Sequence, residues 1–77
     1  MKKHNLKIKE IYADEYLRGN KDWELRKNDR NYQIGDCLSF TVIETNFKYD
    51  LFIKYILHGP CYGLENGFCI MTVSPFQ

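Results

Sequence analysis

The segment Gly19-Asn20-Lys21-Asp22-Trp23-Glu24-Leu25-Arg26 concentrates the side chains best suited to chemistry. Lys21 leaves a turn, and Glu24 and Arg26 stand two residues apart on what reads as a strand. Residues so spaced share one strand face about 6–7 Å apart, within reach of a single polar ligand. A carboxylate accepts from exocyclic amines and a guanidinium donates to carbonyls, so the trio can hold the edge of a nucleobase. The bland alternative is an exposed ion pair between Glu24 and Arg26 while Trp23 and Leu25 fill the core. In either case, alternation sends Trp23 and Leu25 to the face opposite Glu24 and Arg26. Trp23 is expected to be buried.

The loop that follows, Lys27-Asn28-Asp29-Arg30-Asn31-Tyr32, adds two cations and a ring. Cations beside an aromatic suit single-stranded nucleic acid, whose phosphates need charge and whose bases stack. Asn28 and Asp29 equally suit a turn, with Tyr32 covering the end of a barrel. Tyr62 lies close to Gly59 and next to Gly63, and such glycines let backbone N–H groups approach a phosphate. The motif and its loop are carried by a basic first half. Residues 1–30 hold nine Lys or Arg against six Asp or Glu, a balance of +3, and residues 31–77 balance to −2. A polyanionic partner or a solvated surface both fit that distribution.

Several elements must position these groups. Asn5 to Lys9 alternates as a first strand, and Tyr12 to Arg18 forms about two helical turns with Tyr12/Tyr16 and Ala13/Leu17 on an apolar face. Gly19 supplies a left-handed stop. Trp23 to Lys27 is the second strand and Cys37 to Thr45 the third. Asn46 to Asp50 connects to a strand over Leu51 to His58, and Phe68 to Val73 closes the series. The class is mainly β (α+β): a small, curved barrel with one short helix after the first strand.

Seventy-seven residues make a single domain over 1–77, and 44% hydrophobic with 16% aromatic content suffices for a core. No stretch approaches the roughly 18 apolar residues of a membrane helix. The basic start lacks an apolar h-region, so a cytoplasmic location without membrane contact is expected. Cys37, Cys61 and Cys69 are odd in number with no C-x-x-C spacing, which predicts reduced thiols rather than a disulfide framework. His4 and His58 stand far apart, and no metal and no cofactor are expected.

The eight residues match the G-x-K-x-x-E-x-R signature of ASCH (activating signal cointegrator homology) domains, members of the PUA-like superfamily. With Tyr32, Ile34-Gly35-Asp36 and Gly59-Pro60-Cys61-Tyr62-Gly63-Leu64-Glu65-Asn66-Gly67, the chain resembles a compact branch of small bacterial and phage domains of unknown function. The resemblance runs from about His4 to Val73. It implies a small PUA-like β-barrel whose motif lines a cleft, and recognition of RNA or a nucleoside-like ligand by Lys21, Glu24 and Arg26. Lys27, Arg30, Tyr32 and Tyr62 complete the expected ligand-binding set. Some relatives are amidohydrolases that deacylate an acetylated cytidine with a lysine, a threonine and a distant glutamate. Lys21 matches that lysine, whereas Glu24 occupies the threonine position. A small hydrolase acting on a modified nucleoside, with Lys21 and Glu24 as catalytic candidates, is therefore one alternative. A protein-interaction module using Phe47, Tyr49 and Phe76 is another.

Overall fold

A computed structural model describes all 77 residues. The chain runs β1 (Lys3–Ile8), α1 (Glu10–Leu17), β2 (Trp23–Lys27), β3 (Cys37–Val42), β4 (Lys48–His58) and β5 (Phe68–Ser74). One sheet holds all five strands in the order β1-β3-β4-β5-β2, curled into a half-barrel. The expected class, mainly β with one short helix after the first strand, is the observed one.

β1 alternates cleanly, with His4, Leu6 and Ile8 inward and Lys3, Asn5 and Lys7 outward. It pairs in parallel with β3, which demands a crossover, and α1, β2 and the following loop supply it. β3 sits between β1 and β4 and buries Cys37, Leu38, Phe40 and Val42.

β4 is longer than the sequence pattern suggests, because Lys48 to Asp50 already pair with β3 rather than forming a connection. Its first half pairs with β3 and its second with β5, and the register shifts between Ile53 and Tyr55. Across this bulge the inward positions change from Leu51 and Ile53 to Ile56. One extra residue bends the strand and tightens the local twist, which curls the sheet.

The core joins these inward residues to Cys69, Met71 and Val73 of β5. From α1 only Ala13 is buried, while Tyr16 stacks on Tyr49 with ring centroids 5.7 Å apart. Tyr12 and Leu17 were expected to share the helix's apolar face, but both are exposed. The helix rests on the sheet through the Ala13–Tyr16 side alone. No side chain of Lys9 caps its start; instead Glu44, from the turn after β3, accepts a hydrogen bond from the Glu10 N–H at 2.9 Å. An acidic group there also suits the positive end of the helix dipole. Gly19 ends the helix in the left-handed region (φ +81°), its N–H donating to the Tyr16 carbonyl.

Cys37, Cys61 and Cys69 are free thiols. Burial pushes the Cys37 and Cys69 thiols above their ordinary range, which leaves them poor nucleophiles. No helix is long and apolar enough to cross a membrane.

Candidate functional site

Edges define the site. β1 and β2 are the two ends of the sheet, and the strand directions make them antiparallel neighbours across an unpaired gap. The Cys37 N–H donates to the Lys2 carbonyl and the Ile43 N–H to the Ile8 carbonyl. Even-numbered carbonyls of β1 therefore turn toward β3, and those of Asn5 and Lys7 face the gap. Two arginines meet them from the other side. Arg26 Nη2 donates to the Lys7 carbonyl at 3.1 Å and Arg30 Nη1 to the Asn5 carbonyl at 2.9 Å. Side chains thus clasp the half-barrel where backbone pairing stops.

Beside this clasp the gap opens into a cleft of about 720 Å³. The end of β1, helix α1 and β2 contribute its walls, with Tyr12, Trp23, Leu25 and Ile43 as apolar surface. Its charged lining, Lys7, Lys9, Lys21 and Arg26 against Glu15 and Glu24, balances to +2. Lys21, Glu24 and Arg26 come together in it. Arg26 Nε donates to Glu24 Oε1 at 3.2 Å, and Lys21 Nζ donates to Glu24 Oε2 in a short contact. Their side chains keep only 12%, 8% and 25% of their surface exposed, in that order.

The face assignment of β2 is the reverse of the expected one. Glu24 is buried and Arg26 half-buried, its guanidinium carbon 5.7 Å from the centroid of the core ring Phe40. Trp23, expected inside, is 44% exposed, and Leu25 is exposed as well. The reason is the open edge. With β1 unpaired to β2, the inward face of β2 meets the clasp and the cleft floor, so charges with partners occupy it. Trp23 instead forms a wall of the cleft, its ring centroid 5.0 Å from the Lys21 ammonium, a cation–π geometry.

Burial pushes the Tyr49 hydroxyl up to about 12, and the negative charge of Glu24 and the neighbouring Tyr16 add to the rise against the opposing Arg26. Tyr49 is thus a neutral phenol packed under the charged floor, not the exposed aromatic an interaction module would use. Phe47 and Phe76 are exposed.

The remaining predicted residues lie outside the cleft lining. Lys27 is exposed, beyond it on β2. Arg30 is committed to Asn5 and lies 3.9 Å from Asp29. Tyr32 is only 2% exposed, within the core, so its ring is not free to stack on a base. Its backbone N–H donates to the Asn28 side chain, which folds the loop inward. Burial raises the Tyr32 hydroxyl, with Arg26 and Arg30 opposing. Tyr62 is 99% exposed on the β4–β5 loop and does not line the cleft.

Sequence reasoning missed Lys7, Lys9, Tyr12 and Ile43 as lining residues. Only the parallel pairing of β1 with β3 brings them beside β2, and no local pattern signals it. It also missed a second buried cluster. His4 Nε2 lies 2.8 Å from Asp36 Oδ2, and the backbone N–H groups of Lys2 and Gln33 donate to the same carboxylate. The His4 ring meets Tyr32 edge-on at 4.8 Å. Burial alone would raise the Asp36 carboxyl, but the hydrogen bonds from His4, Lys2 and Gln33 outweigh it and hold the group below its ordinary value. No three His, Cys, Asp or Glu side chains come together to hold a metal ion.

Fold and site together define a small half-barrel domain with a cationic, aromatic-walled cleft between its sheet edges. The chain belongs to the family described as a domain of unknown function (DUF3850), whose model matches residues 3–73. No curated protein matches the sequence.

Proposed function

We propose that this is an ASCH-like domain of the PUA-like superfamily that binds single-stranded RNA or a nucleoside-like ligand in the cleft between β1 and β2. One observation carries the reading. Lys21, Glu24 and Arg26, the residues matching the motif, form the floor of a cleft whose walls are aromatic and whose lining balances to +2. A cleft of about 720 Å³ lies in the size range of small-ligand sites. Trp23 and Tyr12 offer flat apolar surface for a base, and Lys7 and Lys9 on the same lining offer cations for a phosphate.

Binding is favoured over hydrolysis by the same lining. It contains no Ser, Thr, Cys or His, and the one buried carboxylate is held by two cations. A general base needs an accessible lone pair beside the proton it removes.

The test is a titration of labelled single-stranded oligonucleotides at several salt concentrations, alongside single nucleosides. Weak, salt-dependent binding is expected, with a slope of log affinity against log salt near −0.7 for each phosphate neutralised. Lys9→Ala should weaken oligonucleotide binding for every sequence and flatten the slope, because a phosphate contact carries no base information. Absence of binding by both oligonucleotides and nucleosides at millimolar concentration overturns the proposal.

A further inference from the structure

We infer that the cleft selects a base whose edge is rich in carbonyl oxygens, of the uracil type, over bases that present amino groups; this rests on the nucleoside-binding reading above. The argument is an inventory of hydrogen-bonding capacity at the floor. Glu24 supplies the only buried carboxylate there. Its Oε1 takes the Arg26 Nε–H at 3.2 Å, its Oε2 takes the Lys21 ammonium, and its side chain is 8% exposed. Both oxygens that would greet an exocyclic amine are therefore already held by cations, and with so little exposed surface Glu24 has limited room to accept again.

The donors are not used up. Lys21 spends one N–H on Glu24 and has two more. Arg26 spends Nε–H on Glu24 and one Nη2–H on the Lys7 carbonyl, which leaves Nη1 without a protein partner. The free hydrogen-bonding capacity of the floor is thus mostly that of donors carried by cations. At the rim the Glu15 carboxylate is engaged as well, by Asn20 Nδ2 at 3.1 Å and by Arg18 at 3.6 Å.

Neutral acceptors remain, and they are few: the Asn20 amide oxygen, the Tyr12 hydroxyl and strand carbonyls. The Asn28 N–H donates to the Gly67 carbonyl and the Val73 N–H to the Asp22 carbonyl, so even-numbered residues of β2 bond β5. By alternation the peptide groups of Trp23 and Leu25 face the gap. A uracil edge offers acceptor, donor, acceptor: its two carbonyls match the cationic donors, and its single ring N–H needs one strand carbonyl. A cytosine edge replaces one carbonyl with an amine and sets N–H against N–H at Lys21 or Arg26. Adenine does the same. A donor left facing a donor loses its hydration and gains nothing.

The experiment titrates the intact wild-type domain with uridine, cytidine, adenosine and the 5′-monophosphates of uridine and cytidine, followed by Trp23 fluorescence and by calorimetry. Trp23 is the chain's single tryptophan, so quenching reports on the cleft wall itself. Uridine should bind about tenfold or more tighter than cytidine and adenosine, the discrimination of one well-matched polar pair. In Lys21→Met, checked for an unchanged fold by circular dichroism, that preference should collapse to within about twofold. Cytidine or adenosine binding as tightly as uridine overturns the inference and leaves the nucleoside-binding reading standing. Binding of the two monophosphates without a base preference does the same. No nucleoside or nucleotide binding at millimolar concentration removes both.

Discussion

His4 and Asp36, near the start of β1 and just before β3, keep 5% and 6% of their side-chain surface; Lys21, Glu24 and Arg26, beside the end of β1, are nearly as buried. The two clusters are satisfied differently. Asp36 collects donors from Lys2, His4 and Gln33, groups contributed by two distant parts of the chain. Glu24 is satisfied by residues three before and two after it, and all three side chains line a cleft. The first cluster joins segments, so its hydrogen bonds serve the fold. The second could form within one short segment and retains unspent donors, which is what a ligand site requires. Burial of charge does not separate structure from function here; the destination of the spare hydrogen bonds does.

The largest expected effect follows from the first cluster. Asp36→Ala leaves the His4 ring and two backbone N–H groups without their acceptor, and breaking a buried pair in this way costs about 3–5 kcal/mol. A domain this small has on the order of 5 kcal/mol to lose, so the variant should be largely unfolded. Glu24→Ala should cost about 1–2 kcal/mol, because water in the cleft can rehydrate Lys21 and Arg26. Equal losses in the two urea midpoints would break the comparison. Acid sharpens it. The Asp36 carboxyl is held below its ordinary value of 3.8, so on acidification the unfolded chain takes up this proton first. Its stabilising contribution is complete above the unfolded value and fades as pH falls through the folded one. Asp36→Asn should flatten that acid limb of the stability profile, whereas Glu24→Gln should leave the part due to Asp36 in place.

A smaller effect is expected at the cleft wall. Trp23→Ala should cost about 1 kcal/mol of stability, well short of the roughly 3–5 kcal/mol typical of a buried tryptophan. The ring is 44% exposed and contacts the Lys21 ammonium rather than the core. Nucleoside affinity should nevertheless fall about tenfold, the usual value of one stacking platform. A variant that unfolds would return Trp23 to the core and reverse the face assignment of β2.

That face marks the limit of what the sequence made legible. Alternation located β1 and β2 and separated Glu24 and Arg26 from Trp23 and Leu25, while apolar runs between turns located β3 and β5. It could not say which side of β2 faced inward, and hydrophobicity favoured the wrong side, because it presumes that an inward face meets a closed core. β2 lies at a gap, so its inward face carries paired charges. Motif spacing brought Lys21, Glu24 and Arg26 together correctly, since all three are local. The rest of the cleft depends on a parallel pairing between strands about thirty residues apart. The His4–Asp36 contact spans 32 residues and leaves no periodic trace. Tyr32 had two open readings as a loop aromatic, and burial within the core selects the structural one.

Arg30→Ala should give the smallest effect, and it probes how the two clusters are kept apart. Asn5, whose carbonyl accepts from Arg30, lies between His4 and Lys7 on β1, and Lys7 is clasped in turn by Arg26. Arg30 is surface-exposed and its contact with Asp29 is long at 3.9 Å, so that ion pair should add little. Loss of its hydrogen bond to Asn5 should cost about 0.5–1 kcal/mol. Arg26→Ala removes a clasp and a cation of the floor together, so it should lower both stability and nucleoside affinity. Arg30→Ala should leave nucleoside affinity within about twofold of wild type, the range expected where no direct contact is lost. Oligonucleotide binding is the finer measure. A loss there alone would place Arg30 beside a phosphate that leaves the cleft. A loss of single-nucleoside binding would instead show that the clasp at Asn5 sets the width of the gap, and the separation between a fold-holding cluster and a ligand-facing one would no longer stand.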